Sequence, residues 1–98
     1  MTIHKTKDGD ALTIALEGRL DTMTAPELES ELKTALDGVE TLTMDMAKLD
    51  YISSAGLRVL LSAQKLMGRR GGMTLTNVSE AIMEIFEVTG FVDILTIA

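Results

Sequence analysis

Thr41-Leu42-Thr43-Met44-Asp45-Met46 alternates polar and apolar side chains one by one, which is the period of a strand with one buried face. The same split recurs at Leu12, Ile14 and Leu16 against Thr13, Ala15 and Glu17, and at Met73 and Leu75 against Thr74 and Thr76. Three strands thus share a threonine-rich outer face. A parallel sheet covered on both sides reads instead as continuous apolar runs, so helices are expected on one face only.

The segments between these strands have helical spacing. Residues 25–37 carry Leu28, Leu32, Ala35 and Leu36; residues 55–69 carry Leu57, Leu60, Leu61 and Met67; residues 80–89 carry Ile82, Ile85 and Phe86. Upstream, residues 2–7 and 11–17 flank Asp8-Gly9-Asp10 as a hairpin. Thr24-Ala25-Pro26-Glu27 reads as a capping box with proline in the first turn, and Asp37-Gly38 as the stop of that helix. Arg69-Arg70-Gly71-Gly72 places cations at the negative end of the second helix. The third runs from a Ser79 cap to Gly90, with Phe86 and Phe91 at the paired apolar positions of a left-handed stop. Ile94, Leu95 and Ile97 read as a last short strand.

Two right-handed βαβ units that share a strand step the same way across a sheet when their helices lie on one side. The expectation is an α/β fold in which residues 1–98 form a single domain: a mixed four- to five-stranded sheet, order 1-2-3-4, first strand antiparallel. Such a sheet has no reversal of strand order, the place where doubly wound folds open a ligand crevice. An interaction surface is therefore expected rather than a deep pocket.

Working outward from the central strand, Ala47-Lys48-Leu49-Asp50-Tyr51-Ile52-Ser53-Ser54-Ala55-Gly56-Leu57-Arg58-Val59-Leu60-Leu61 reads as a strand end, a short polar turn and a helix start. The first helical turn brings two hydroxyls and a glycine to backbone N–H groups that lack intrahelical partners and carry about half a positive charge. A hydroxyl there can cap the helix or bear a phosphate. Gly56 costs roughly 1 kcal/mol relative to Ala in a helix, which implies that something approaches closely.

Other chemistry is poorly supplied. A net charge of −6 argues against non-specific nucleic-acid or anionic-membrane binding. The chain has no Cys, so thiolate chemistry and Cys-ligated metal are excluded. No window approaches the ~18 apolar residues of a membrane span, and no basic-flanked apolar leader is evident; the expected location is the cytoplasm. The one His, His4, falls in the first strand with no reason to converge on Ser53 or Ser54, so a catalytic triad is not expected. Gly68-Arg69-Arg70-Gly71-Gly72 sits at a helix C-terminus, where carbonyls repel phosphate, and no Walker Lys-Ser/Thr pair accompanies it. No cofactor, metal or enzymatic activity is expected. The seven Met occupy core-facing positions as packing, and Glu27, Glu29 and Glu31 form a solvated helix face.

Four segments together resemble a STAS domain of the bacterial anti-sigma factor antagonist group: Gly18-Arg19-Leu20-Asp21, Leu49 through Arg58, Gly71-Gly72, and Phe86 to Phe91 with Gly90. The resemblance implies a non-catalytic module that binds an anti-sigma factor serine kinase, is released when one serine is phosphorylated, and is restored by a PP2C-type phosphatase. By position that serine is Ser54, with partner contacts at Asp21, Ser53, Gly56 and Arg58. The chain departs from the sporulation and stress members in having Ser53 where they carry Asp, which offers a second hydroxyl to a kinase. Ala55 replaces a common hydroxyl residue on the other side. The alternative within the family is a STAS subunit of a larger complex, for example in lipid transport, that works without phosphorylation.

Overall fold

The computed structural model describes residues 1–98. Its elements are β1 (Thr2–Asp8), β2 (Ala11–Leu20), α1 (Ala25–Ala35), β3 (Thr41–Ile52), α2 (Ser54–Met67), β4 (Met73–Thr76), α3 (Glu80–Thr89) and a 3-10 turn at Phe91–Asp93. The sheet has the expected order β1-β2-β3-β4, with β1 antiparallel to β2 and the other pairs parallel. The β1–β2 hairpin closes at Gly9-Asp10, with Asp8 opposite Ala11.

The alternating pattern works as read. Leu12, Ile14 and Leu16 of β2, Leu42, Met44 and Met46 of β3, and Met73 and Leu75 of β4 are all buried. They join one cluster with Leu28 and Leu32 of α1, Leu57, Leu60 and Met67 of α2, and Ile82 and Phe86 of α3. The helices therefore cover one face. On the other, Thr6, Thr13, Thr43 and Thr74 stand in register across all four strands.

β2 and β3 run further than their alternation suggests, and the polar turn expected after Met46 is absent. β3 instead carries two irregularities, opposite Ala15/Glu17 and Gly18/Arg19. Each sets one extra residue against β2, so the buried positions slip from Met46 to Leu49 to Ile52 at intervals of three. Lys48, Asp50 and Tyr51 look like a turn in sequence because the bulges break the period.

The capping box at α1 does not form. Thr24 has helical backbone angles, φ −101 and ψ −20, and its side chain makes no cap bond, because a capping hydroxyl needs an extended backbone to reach forward. α1 also stops earlier than expected, with Leu36 as its C-cap. Arg70 serves that end rather than the dipole of its own helix: its Nη1 donates to the carbonyls of Leu36 at 2.6 Å and Val39 at 2.9 Å. α2 ends at Met67 with Gly68 as C-cap.

At α3 the sequence reading holds in detail. The Ser79 hydroxyl accepts from the Ile82 amide at 3.3 Å, and Gly90 takes φ +81, a region that disfavours side chains. Phe86 is fully buried, with Phe91 packed against the core beside it. The last strand shrinks to a single parallel bridge between Leu75 and Ile97. The 3-10 turn consumes residues 91–93 and sends Leu95 into the core, leaving only the Thr96 carbonyl and Ala98 amide to bond Leu75, at 2.8 and 2.9 Å.

Among the methionines, Met44, Met46, Met67 and Met73 are buried as expected, but Met23 is 85% exposed. It occupies the β2–α1 turn, outside the phase of any core-facing period.

Candidate functional site

β2 and β3 end side by side, with Leu20 opposite Ile52, and the Ser53 amide donates to the Leu20 carbonyl at 2.9 Å. This bond sets the β2–α1 turn next to the first turn of α2.

On the β2 side, Asp21 organises the turn. Its Oδ1 accepts from the amides of Met23 at 3.0 Å and Thr24 at 3.1 Å, an Asx arrangement in which the side chain stands in for backbone. The Thr24 hydroxyl accepts from the Asp21 amide at 2.9 Å and donates to the Arg19 carbonyl at 2.7 Å, which is where the expected capping group goes. Burial pushes the Asp21 carboxyl up, but the bonds from Thr24 and Met23 and the Arg19 charge outweigh it and hold the group below 3.8. With its side chain 27% exposed, Asp21 presents only one edge to solvent.

Arg19 links two faces. Its Nε lies 3.6 Å from Asp21 Oδ2, and its guanidinium carbon sits 4.4 Å from the centroid of the Tyr51 ring, within cation–π range. Tyr51, opposite Arg19 in the ladder, is 37% exposed.

On the β3 side, Ser53 has an extended backbone and caps α2, its hydroxyl accepting from the Gly56 amide at 3.4 Å. Ser54, the next residue, begins the helix and is exposed. No acidic residue lies in this first turn, unlike those of α1 and α3. Arg58 is exposed as well.

Gly56, by contrast, is buried beneath the surface and is not among the outward-facing residues. The close approach it permits is internal. An added Cβ would stand 2.7 Å from Leu20 Cγ and 2.9 Å from Ile52 Cγ1, so the missing side chain lets α2 sit directly on the strand ends.

Asp21, Ser53, Ser54 and Arg58 are thus brought to one end of the sheet, together with Arg19 and Tyr51, which the sequence reading quoted only within longer segments, and with Met23, which it counted as core packing. Met23's lack of phase with the core was an available signal. The Arg19–Tyr51 pair becomes visible only when both bulges of β3 are counted. Next to these residues runs a shallow groove between α1 and α2 lined by Thr22, Pro26, Ala55, Arg58 and Ser62, among others. No base attends Ser54: His4 lies on β1, its Nε2 3.4 Å from Glu17 Oε2. The Ser54 hydroxyl is exposed, with no histidine within reach to orient or activate it. No helix of the chain is long and apolar enough to cross a membrane.

Comparison with known proteins agrees with this geometry. The family model described as "Mlab, STAS domain" matches residues 3–96. Over 92 residues the chain is 40% identical to BtrV of Bordetella bronchiseptica, covering 91% of this chain and 79% of that one. It is 32% identical over 96 residues to the anti-sigma-B factor antagonist of Listeria monocytogenes, covering 95% and 83%. In three dimensions it matches the crystal structure of an anti-sigma factor antagonist from Mycobacterium paratuberculosis with a TM-score of 0.87 at 21% identity, over 98% and 83% of the two chains. With its sheet order, its helix-covered face and nearly its whole length matched by the family model, the chain belongs to the STAS domain family.

Proposed function

We propose that the chain is an anti-sigma factor antagonist: a non-catalytic module that binds an anti-sigma factor serine kinase while Ser54 is free and releases it once Ser54 is phosphorylated, a PP2C-type phosphatase reversing the step. The names of its relatives support the first half of this reading. The observation that carries the second is the exposure of Ser54 at the start of α2, beside the exposed Met23 turn and Arg58.

Of the two hydroxyls, Ser54 is the acceptor we assign, because Ser53 is half-buried and spent on the helix cap. A phosphate adds −1.5 to −2 charge and three acceptor oxygens at a helix N-terminus, which tolerates it locally. The fold survives, whereas a docked partner meets new bulk and charge. A penalty of ~3 kcal/mol weakens binding more than 100-fold.

The test is calorimetric titration of Ser54→Ala and Ser54→Asp against an anti-sigma factor serine kinase from the same organism. Ser54→Ala is expected to bind like the parent and Ser54→Asp at least about tenfold more weakly, a difference of ~1.4 kcal/mol; equal affinities would refute the assignment. The second reading within the family is a STAS subunit of a larger complex that works without phosphorylation. Incubation with the kinase and ATP followed by intact-mass measurement separates the two, since this reading expects no phosphate on the chain.

A further inference from the structure

We infer that Arg58 is the internal counter-ion of phosphorylated Ser54, so that the phosphate is held by the chain's own guanidinium one helical turn along. The inference rests on the assignment of Ser54 above and adds what the modified chain does with the new charge.

Ser54 and Arg58 stand at i and i+4 of α2, where side chains share one face with about 5–6 Å between Cβ atoms, and an anion placed N-terminal to a cation is the favourable order. Both are exposed. Arg58 takes part in none of the chain's ion pairs, which join His4–Glu17, Lys5–Glu31, Arg19–Asp21 and Lys33–Glu29. Arg70, by contrast, is spent on carbonyls.

Competing charges around Arg58 are few. The first turn of α2 holds no carboxylate. From α1, Glu29 lines the same groove, but its carboxylate lies 3.9 Å from Lys33 Nζ. From the β2–α1 turn, Asp21 is committed to its own backbone and to Arg19. A planar guanidinium fork matches phosphate oxygens with two parallel bonds, which an ammonium cannot do. The pairing is therefore absent in the free chain and forms when phosphate arrives.

This changes how the switch operates. Phosphorylation withdraws two groups from the docking surface, the Ser54 hydroxyl and the Arg58 guanidinium, and leaves a partly neutralised pair in their place. Release of a partner then depends on lost shape and a lost cation as much as on repulsion.

The test uses the full chain produced with phosphoserine installed at position 54, with and without Arg58→Gln. Phosphorus NMR titration reads the second ionisation of the phosphate, ordinarily near pH 6. The midpoint of the parent is expected to lie about half a pH unit below that of Arg58→Gln, as one cation at short range in a solvated site dictates, the helix N-terminus acting equally on both. Arg58→Lys, which keeps the charge and loses the fork, is expected to fall between and covers the case in which Arg58→Gln folds poorly. Identical midpoints in the parent and both variants overturn the inference. A shifted midpoint in a chain that the kinase never phosphorylates overturns the function proposed for Ser54 and leaves the pairing intact.

Discussion

Replacement of Gly56 by alanine tests the packing on which the site is built. An ideal Cβ there would lie 2.7 Å from Leu20 Cγ, 2.9 Å from Ile52 Cγ1 and 3.0 Å from the Leu20 carbonyl oxygen, against the ~3.5–4.0 Å of ordinary contact. Neither side chain has room to retreat, since Leu20 is 0% and Ile52 2% exposed. The carbonyl is fixed too, because it accepts from Ser53. Overpacking of this kind costs about 1–3 kcal/mol. Gly→Ala in a helix returns ~1 kcal/mol; with two contacts under 3.0 Å placing the overpacking in the upper part of its range, about 2–3 kcal/mol, a net loss of about 1–2 kcal/mol is expected. For a domain of this size, that lowers the melting temperature by roughly 4–16 °C. With one Tyr and no Trp, the measurement is thermal unfolding followed by far-ultraviolet circular dichroism. Ser62→Ala, at an exposed position of the same helix, is the control and stays within about 0.5 kcal/mol of the parent. If Gly56→Ala melts at or above the parent, α2 does not sit on the strand ends as described.

The two neighbouring serines are expected to respond differently to loss of their hydroxyls. Ser53→Ala removes a cap whose bond is long at 3.4 Å and costs about 0.5–1 kcal/mol in urea unfolding, while Ser54→Ala stays within about 0.5 kcal/mol; equal losses would contradict the division of roles. Asp45 supplies a pH signature. Its bonds from the Asn77 side chain and the Ala47 amide, aided by Lys48 and outweighing the effect of burial, hold its carboxyl below 3.8. A carboxyl lowered in the folded state adds stability above its unfolded value and loses it as pH falls through the folded one. Unfolding free energy measured from about pH 5 to pH 2 is therefore expected to fall less steeply in Asp45→Asn than in the parent. Some slope persists, since Asp21 is held low as well; parallel profiles would count against the Asn77 contact.

The features readable from sequence were those written by a local period or by a chemically demanding position. Leu42, Met44 and Met46 announce a one-sided strand because alternation is local, and sheet order follows from chain direction and helix placement. Ser79 and Gly90 mark the ends of α3 because each meets a backbone requirement within a few residues. What stayed hidden depends on residues distant in sequence. The bulges of β3 exist only relative to β2, so Lys48, Asp50 and Tyr51 read as a turn. Thr24 has the residue type of a cap, but nearby Asp21 claims its hydroxyl and the turn amides first. Gly56 signals a close approach without saying by what, and the atoms that approach belong to Leu20 and Ile52 rather than to a partner. Ser54 was legible by its place in a matched motif; Arg19 lay in a matched segment without being singled out, and Met23 was counted with the other methionines as packing although it falls out of phase with the core.

The bulges also explain why the site lies where it does. From Ala11/Thr41 to Leu20/Ile52, β2 spends 10 residues and β3 spends 12 over the same paired span. Since each bulge absorbs one residue without lengthening the ladder, the two strands finish level. α2 therefore starts beside the Asp21 turn and not two residues, roughly 7 Å, beyond it. Level strand ends let the Leu20 carbonyl receive the Ser53 amide and let the bare backbone of Gly56 rest on both strands. Ser54, between the two, opens the helix at a level fixed by contacts that do not involve its own side chain. A surface built this way divides its residues: Ser53 and Gly56 hold the helix in place, while Ser54 and Arg58 stand exposed, and their side chains take no part in the core.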